Sequence, residues 1–82
     1  MKDIILIGAV WCPSCLTMEK LLKKINDERK DLNIIKLDYD MDISKIEELN
    51  LKDIEVIPVI VYNDKRLIGE HKKKEIEEFI YE

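Results

Sequence analysis

Apolar side chains fall in blocks along this chain, and the period within each block names an element. Residues 4–10 are almost unbroken apolar and rich in β-branched types, the pattern of a buried strand rather than one with a wet face. From Cys15 onward the period lengthens. Cys15, Met18, Leu22 and Ile25, joined by Leu21, repeat on one helical face, while Glu19, Lys20, Lys23 and Lys24 take the other. Pro13 suits the first helical position because the amide hydrogen it lacks would be unpaired there, which places Cys12 at the N-cap. Cys15 is therefore expected to be buried and Cys12 to be the exposed thiol.

Residues 26–31 form a charged stretch after this helix. Residues 32–39 alternate, with Ile35, Leu37 and Tyr39 on one face and Ile34, Lys36 and Asp38 on the other, and predict a second strand. Asp40, Met41 and Asp42 carry turn and N-cap chemistry ahead of a short helix marked by Ile43, Ile46 and Leu49, in which Ser44 and Glu47 have capping-box spacing. Residues 51–55 read as an irregular connection. Val59 to Tyr62, directly after Pro58, predict a third strand; Asn63, Asp64 and Lys65 a hairpin turn; and Arg66 to Ile68 the returning strand, ended by Gly69. A last helix is predicted over residues 72–81, burying Ile76, Phe79 and Ile80.

The order β-α-β-α-β-β-α predicts an α/β fold. It gives a four-stranded mixed sheet with helices on both faces, a right-handed first crossover and an antiparallel last pair of strands. Eighty-two residues suffice for a single domain over 1–82 and are too few for two.

Composition works mainly by exclusion. A 46% hydrophobic, 39% charged chain of net charge −4 is an ordinary globule whose lysines are interspersed with acids, so no nucleic-acid partner is expected. The N-terminal apolar run is far too short to span a bilayer, and no membrane partner is expected. A cytoplasmic location follows as the expectation. In that reducing compartment, two cysteines in one motif point to catalysis or metal more than to a structural cross-link.

Both cysteines of the chain lie in Trp11-Cys12-Pro13-Ser14-Cys15, at the junction of the first strand and first helix. A four-residue disulfide loop would stabilise by only about 2 kcal/mol and would tie no distant elements together. The same spacing at a strand-to-helix junction is the signature of dithiol exchange. The chemistry needs a thiolate, and an unperturbed cysteine of pKa ~8.5 supplies only about 3% of it at neutral pH. A helix dipole contributes ~0.3–1 kcal/mol to an anion, less than the ~1.36 kcal/mol of one pKa unit. Direct hydrogen bonds to the Cys12 sulfur, from the Ser14 or Cys15 amides or the Cys15 thiol, are expected to supply the rest. A soft-metal site remains open on these residues alone.

This motif, the helix after it, and Ile57-Pro58 entering a later strand together resemble the thioredoxin and glutaredoxin superfamily, over nearly the whole chain. Trp11 before the first cysteine and Ile57 before the later proline look like thioredoxin; the Cys-Pro-x-Cys order and short length look like glutaredoxin. The resemblance implies a thioredoxin-like fold with a cis Ile57-Pro58 peptide facing the sulfurs. It implies a thiol-disulfide oxidoreductase with Cys12 as nucleophile and Cys15 as resolving thiol, and a redox-active Cys12-Cys15 disulfide with no bound cofactor. Trp11, Pro13, Ser14, Ile57 and Pro58 would line the substrate rim. Its partners would be disulfide-containing proteins and, as electron donor, an NADPH-dependent flavoprotein reductase or glutathione; a monomer is expected.

Two positions depart from the family pattern. The acid that thioredoxins usually bury six residues before the first cysteine is Leu6 here, which leaves Lys36 without its usual partner and expected in solvent. The glutathione-binding Gly-Gly-x-Asp stretch of glutaredoxins reads Gly69-Glu70-His71-Lys72. Lys72, Lys73 and Lys74 are expected to form a solvated face paired with Glu77 and Glu78, and His71 to lie at the surface. The alternatives are a glutathione-dependent glutaredoxin, an iron-sulfur carrier, and a soft-metal carrier, which would end on a strand.

Overall fold

The computed structural model describes residues 1–81. The elements run β1 (Lys2–Gly8), α1 (Pro13–Arg29), β2 (Leu32–Asp38), α2 (Ile43–Glu48), β3 (Val59–Tyr62), β4 (Lys65–Ile68) and α3 (Lys73–Tyr81). One mixed sheet has the order β2-β1-β3-β4, with β1 parallel to β2 and antiparallel to β3, and β3 antiparallel to β4. This is the predicted architecture.

The near-continuous apolar run of β1 is explained by its central place in the sheet. On one face Ile4 and Leu6 pack with Met18, Leu22 and Ile25 of α1 and Ile76 and Ile80 of α3. On the other, Ile7 packs with Leu37, Ile46, Leu51, Ile54, Val59 and Val61. Tyr39 joins this second layer and its hydroxyl donates to the Ile54 carbonyl at 3.1 Å. Among the described residues no helix is long and apolar enough to cross a membrane.

Boundaries depart from the sequence pattern where tertiary contacts take over. β1 stops at Gly8, because Ala9 turns back to accept the Cys12 amide at 3.2 Å and leaves Val10 in solvent. α1 absorbs residues 26–29 of the charged stretch and ends at Lys30 in the left-handed region (φ 57°), whose amide bonds the Asn26 carbonyl. The Asn26 side chain then accepts from the Leu32 amide at 3.0 Å, launching β2.

The Ser44–Glu47 capping box does not form. Asp42 is the N-cap of α2, and its carboxylate is turned away to accept the Asp38 amide at 2.7 Å. The hairpin turn narrows to Asn63-Asp64, with Asn63 left-handed (φ 55°) and Lys65 already paired to Tyr62. Lys73 meets Glu28 on α1 at 2.7 Å, and Arg29 meets Glu77, in place of the expected pairing within α3. Ahead of α3, the Lys72 amide donates to Glu75 Oε1 at 3.0 Å, so a first-turn carboxylate offsets the lysines' unfavourable position against the helix dipole.

Candidate active site

The carboxyl end of β1, the start of α1 and the entry to β3 meet in a small cluster of Ala9, Cys12 and Cys15, with Ile57 packed against it. Ligand sites in open α/β sheets favour this edge. Cys12 caps α1 in an extended conformation, and Pro13 takes the first helical position as expected. Both cysteines are free thiols in this structure.

Cys12 is buried, at 7% relative exposure against 4% for Cys15, which corrects the expectation of an exposed thiol. Its cover comes from Ala9 and from Ile57, a neighbour the local pattern did not show. What distinguishes the two sulfurs is their electrostatics. The Cys15 amide donates to Cys12 Sγ at 3.2 Å, one of the hydrogen bonds expected of a stabilised thiolate; the Ser14 amide makes no such bond among the described residues. Burial first, then the hydrogen bond to Cys12, pushes the Cys15 thiol up to about 11, against a lowering contribution from the Ala9 backbone. Cys15 holds its proton while Cys12 is solvated by an amide.

The other expected site residues gather around this pair. Ile57-Pro58 is cis, with Ile57 half-buried against the cluster that holds both cysteines and Pro58 buried. Pro13 is exposed and Ser14 half-buried. Trp11 is 63% exposed and so is no core aromatic. Its indole Nε1 donates to Asp40 Oδ2 at 2.7 Å, fixing the ring next to Cys12. A recess of about 330 Å³ lined by Tyr39, Asp40, Ile43, Ile46, Glu47 and Lys52 shares Asp40 with this site but neither cysteine.

Two residues of the site escaped the sequence pattern. Asp40 read there as turn chemistry. Gly8 read as part of an apolar strand, yet a Cβ on it would stand 2.8 Å from Cys15 Cβ and 2.9 Å from Cys15 Sγ, so only glycine fits. A lone glycine in a strand interior signals close approach of another chain segment.

Leu6, in place of the family's acid, is buried at 1% exposure. Lys36, its partner in register, lies exposed and reaches Glu19 at 2.9 Å. The Lys36 ammonium, followed by that of Lys23, holds the Glu19 carboxyl below its ordinary range against the opposing effect of burial. His71 is held at the surface, its ring between the Ile68 carbonyl (2.9 Å) and Glu75 (3.4 Å).

A family model described as Thioredoxin matches residues 2–82. The chain belongs to the thioredoxin family. Its fold is similar to that of mitochondrial thioredoxin 3 from Saccharomyces cerevisiae in the oxidised form, with TM-score 0.77 and 24% identity over 96% of this chain and 76% of that one. It is also similar to chloroplastic thioredoxin z (TM-score 0.78, 23% identity, 98% and 75% coverage). A mutant thioredoxin from Halobacterium salinarum gives TM-score 0.78 at 17% identity, with 95% and 70% coverage. A comparison with curated protein sequences gives no match. Membership of the thioredoxin family and the Cys12–Cys15 spacing support thiol-disulfide oxidoreductase chemistry.

Proposed function

We propose that this member of the thioredoxin family reduces protein disulfides by dithiol exchange, with Cys12 attacking and Cys15 resolving. The observation that carries the assignment of roles is the hydrogen bond that the Cys15 amide donates to Cys12 Sγ at 3.2 Å, set against a Cys15 thiol held protonated up to about 11. Attack by the Cys12 thiolate breaks the substrate disulfide, forms a mixed disulfide and expels one substrate thiolate. Cys15, once deprotonated, forms the Cys12–Cys15 bond and releases the second substrate sulfur. Two electrons pass from the dithiol to the substrate.

Trp11 and Ile57-Pro58 form the substrate-facing rim in this proposal. None of the hydrogen bonds among the described residues uses the Ile57 backbone amide or carbonyl, so both are available to pair with an extended substrate segment. Bound this way, a disulfide would be presented to Cys12 alongside a short strand. Pairing through main-chain groups favours extended polypeptides over small thiols.

For the electron donor we favour an NADPH-dependent flavoprotein reductase. The family match supports it, and the Gly-Gly-x-Asp stretch by which glutaredoxins bind glutathione reads Gly69-Glu70-His71-Lys72 here. Turnover of insulin disulfides tests the assignment. Sustained reduction is expected with NADPH and a flavoprotein thioredoxin reductase, and slower reduction with glutathione and its reductase. Turnover with glutathione alone would move the protein to the glutaredoxin class.

A further inference from the structure

The dithiol cycle leaves one proton without a destination. Cys15 must lose its proton to attack the mixed disulfide, yet the position six residues before Cys12 is Leu6, which carries no basic group, and Lys36 beside it is paired with Glu19.

Another carboxylate is placed there by the sheet. Gly8 pairs with Asp38 in the parallel β1–β2 ladder, and partners in such a ladder project to the same face, about 4.8 Å apart. On Gly8 that direction leads to Cys15: a Cβ added there would stand 2.8 Å from Cys15 Cβ and 2.9 Å from Cys15 Sγ. Asp38 therefore projects alongside Cys15 from the next strand. Its Oδ1 is fixed by the amides of Asp40 (2.8 Å) and Met41 (2.9 Å). Its Oδ2 takes no hydrogen bond among the described residues, and the residue is half-buried.

We infer that Asp38 is the acid-base partner of Cys15, accepting the Cys15 proton at Oδ2 as the mixed disulfide is resolved. The inference rests on the dithiol exchange proposed above. In the balanced step, the Cys15 thiol gives its proton to the Asp38 carboxylate, directly or across one water. The Cys15 sulfur forms a bond to Cys12 Sγ, the bond from Cys12 to the substrate breaks, and the departing substrate thiolate later takes up the proton.

The titratable and charged groups around this pair are few. Cys12 faces Cys15 from the N-cap, Asp40 and Asp42 share the turn with Asp38, and Lys36 on the same face of β2 is occupied by Glu19. Ala9 and Ile57, packed on the cysteines, carry none. Burial and Cys12 dominate the elevation of the Cys15 thiol, and Asp38 makes the smallest contribution. Removing its charge leaves that barrier nearly intact and removes the acceptor.

Asp38→Asn retains an oxygen for the Asp40 and Met41 amides, and with it the turn, but cannot take up a proton. Single-turnover reduction of an oxidised peptide disulfide, read as release of the second substrate thiol, should slow about tenfold at pH 7, a modest share of the ~10²–10⁴ that a positioned base supplies. Asp38→Glu should restore part of the rate, and the deficit should close as the pH approaches 11, where Cys15 ionises unaided. Mixed-disulfide formation, measured in a Cys15→Ser background, should not change. Unchanged resolution in Asp38→Asn, or a deficit equal at every pH, overturns the role of Asp38 and leaves the dithiol reading standing. Failure of the Cys15→Ser protein to capture substrate at all overturns both.

Discussion

Gly8 and Cys15 are in contact, strand backbone against helix side chain, with a closest approach that would put a Gly8 Cβ 2.8 Å from the Cys15 Cβ. The contact seats the first turn of α1 directly on the end of β1. It therefore sets where Cys15 lies beneath Cys12.

Gly8→Ala should destabilise the fold by about 1–3 kcal/mol, the usual cost of an extra methyl in a packed site, and should lower disulfide-reduction activity in the fraction that folds. Urea denaturation and an insulin-reduction assay give both numbers. Wild-type stability together with wild-type activity would mean that the helix start can shift without consequence, contrary to the packing described.

The elevated Cys15 thiol has two observable consequences. Iodoacetamide at pH 8 should leave Cys15 unmodified in the reduced protein, its alkylation appearing only as the pH nears 11. Stability should also fall with rising pH. Above the ordinary thiol range the unfolded chain releases its proton while folded Cys15 retains it to about 11, so the unfolded state binds fewer protons and is favoured. Tyr81, raised from 10.0 to about 12 by burial and then by its hydrogen bond to Asp31, acts in the same direction. Thermal melts of reduced protein between pH 8 and 11 should decline, and less steeply for Cys15→Ser.

The elements were legible because their signals are local. Val59 to Tyr62 announce themselves as a β-branched run after Pro58, and Cys15, Met18, Leu22 and Ile25 mark the buried stripe of α1 without reference to anything else. What the pattern missed depends on residues far apart in the chain. Cys12 is covered by Ile57, and Asp40 joins the site through an indole hydrogen bond from Trp11. The end of α1 was misplaced because Ile25 is its last apolar contact; residues 26–29 continue the helix with polar side chains that carry no period. Gly8 alone offered a usable clue, as a glycine inside an otherwise β-branched strand.

On the acid side, Glu19 contributes stability through Lys36. Its lowered carboxyl means the folded state binds fewer protons than the unfolded one just below the ordinary value of 4.5, so this contribution is present above that pH and lost as the pH falls. Glu19→Gln should cost ~0–1 kcal/mol at pH 7, as partly exposed pairs do, and should flatten the decline between pH 5 and 3. Denaturation midpoints across that range measure it. An unchanged acid limb would show that the Glu19–Lys36 pair contributes nothing.

The bond between Trp11 and Asp40 makes a separable prediction. Asp40→Ala frees the indole, which should alter Trp11 emission and lower kcat/KM for a protein disulfide by an amount equivalent to roughly 0.5–1.5 kcal/mol, the worth of one hydrogen bond. The Asp40 side chain is exposed, so thermal stability should hardly move. Unaltered kcat/KM would remove the oriented indole from the account of substrate binding.

The assignment of opposite roles to two cysteines, the amide of one donating to the sulfur of the other at 3.2 Å, is tested most directly by trapping. Reduced Cys15→Ser protein incubated with a protein disulfide should yield a stable one-to-one adduct, located by peptide mass spectrometry at Cys12, and Cys12→Ser should yield none. Capture at Cys15 in the Cys12→Ser protein, with Cys15→Ser left unmodified, would contradict the account.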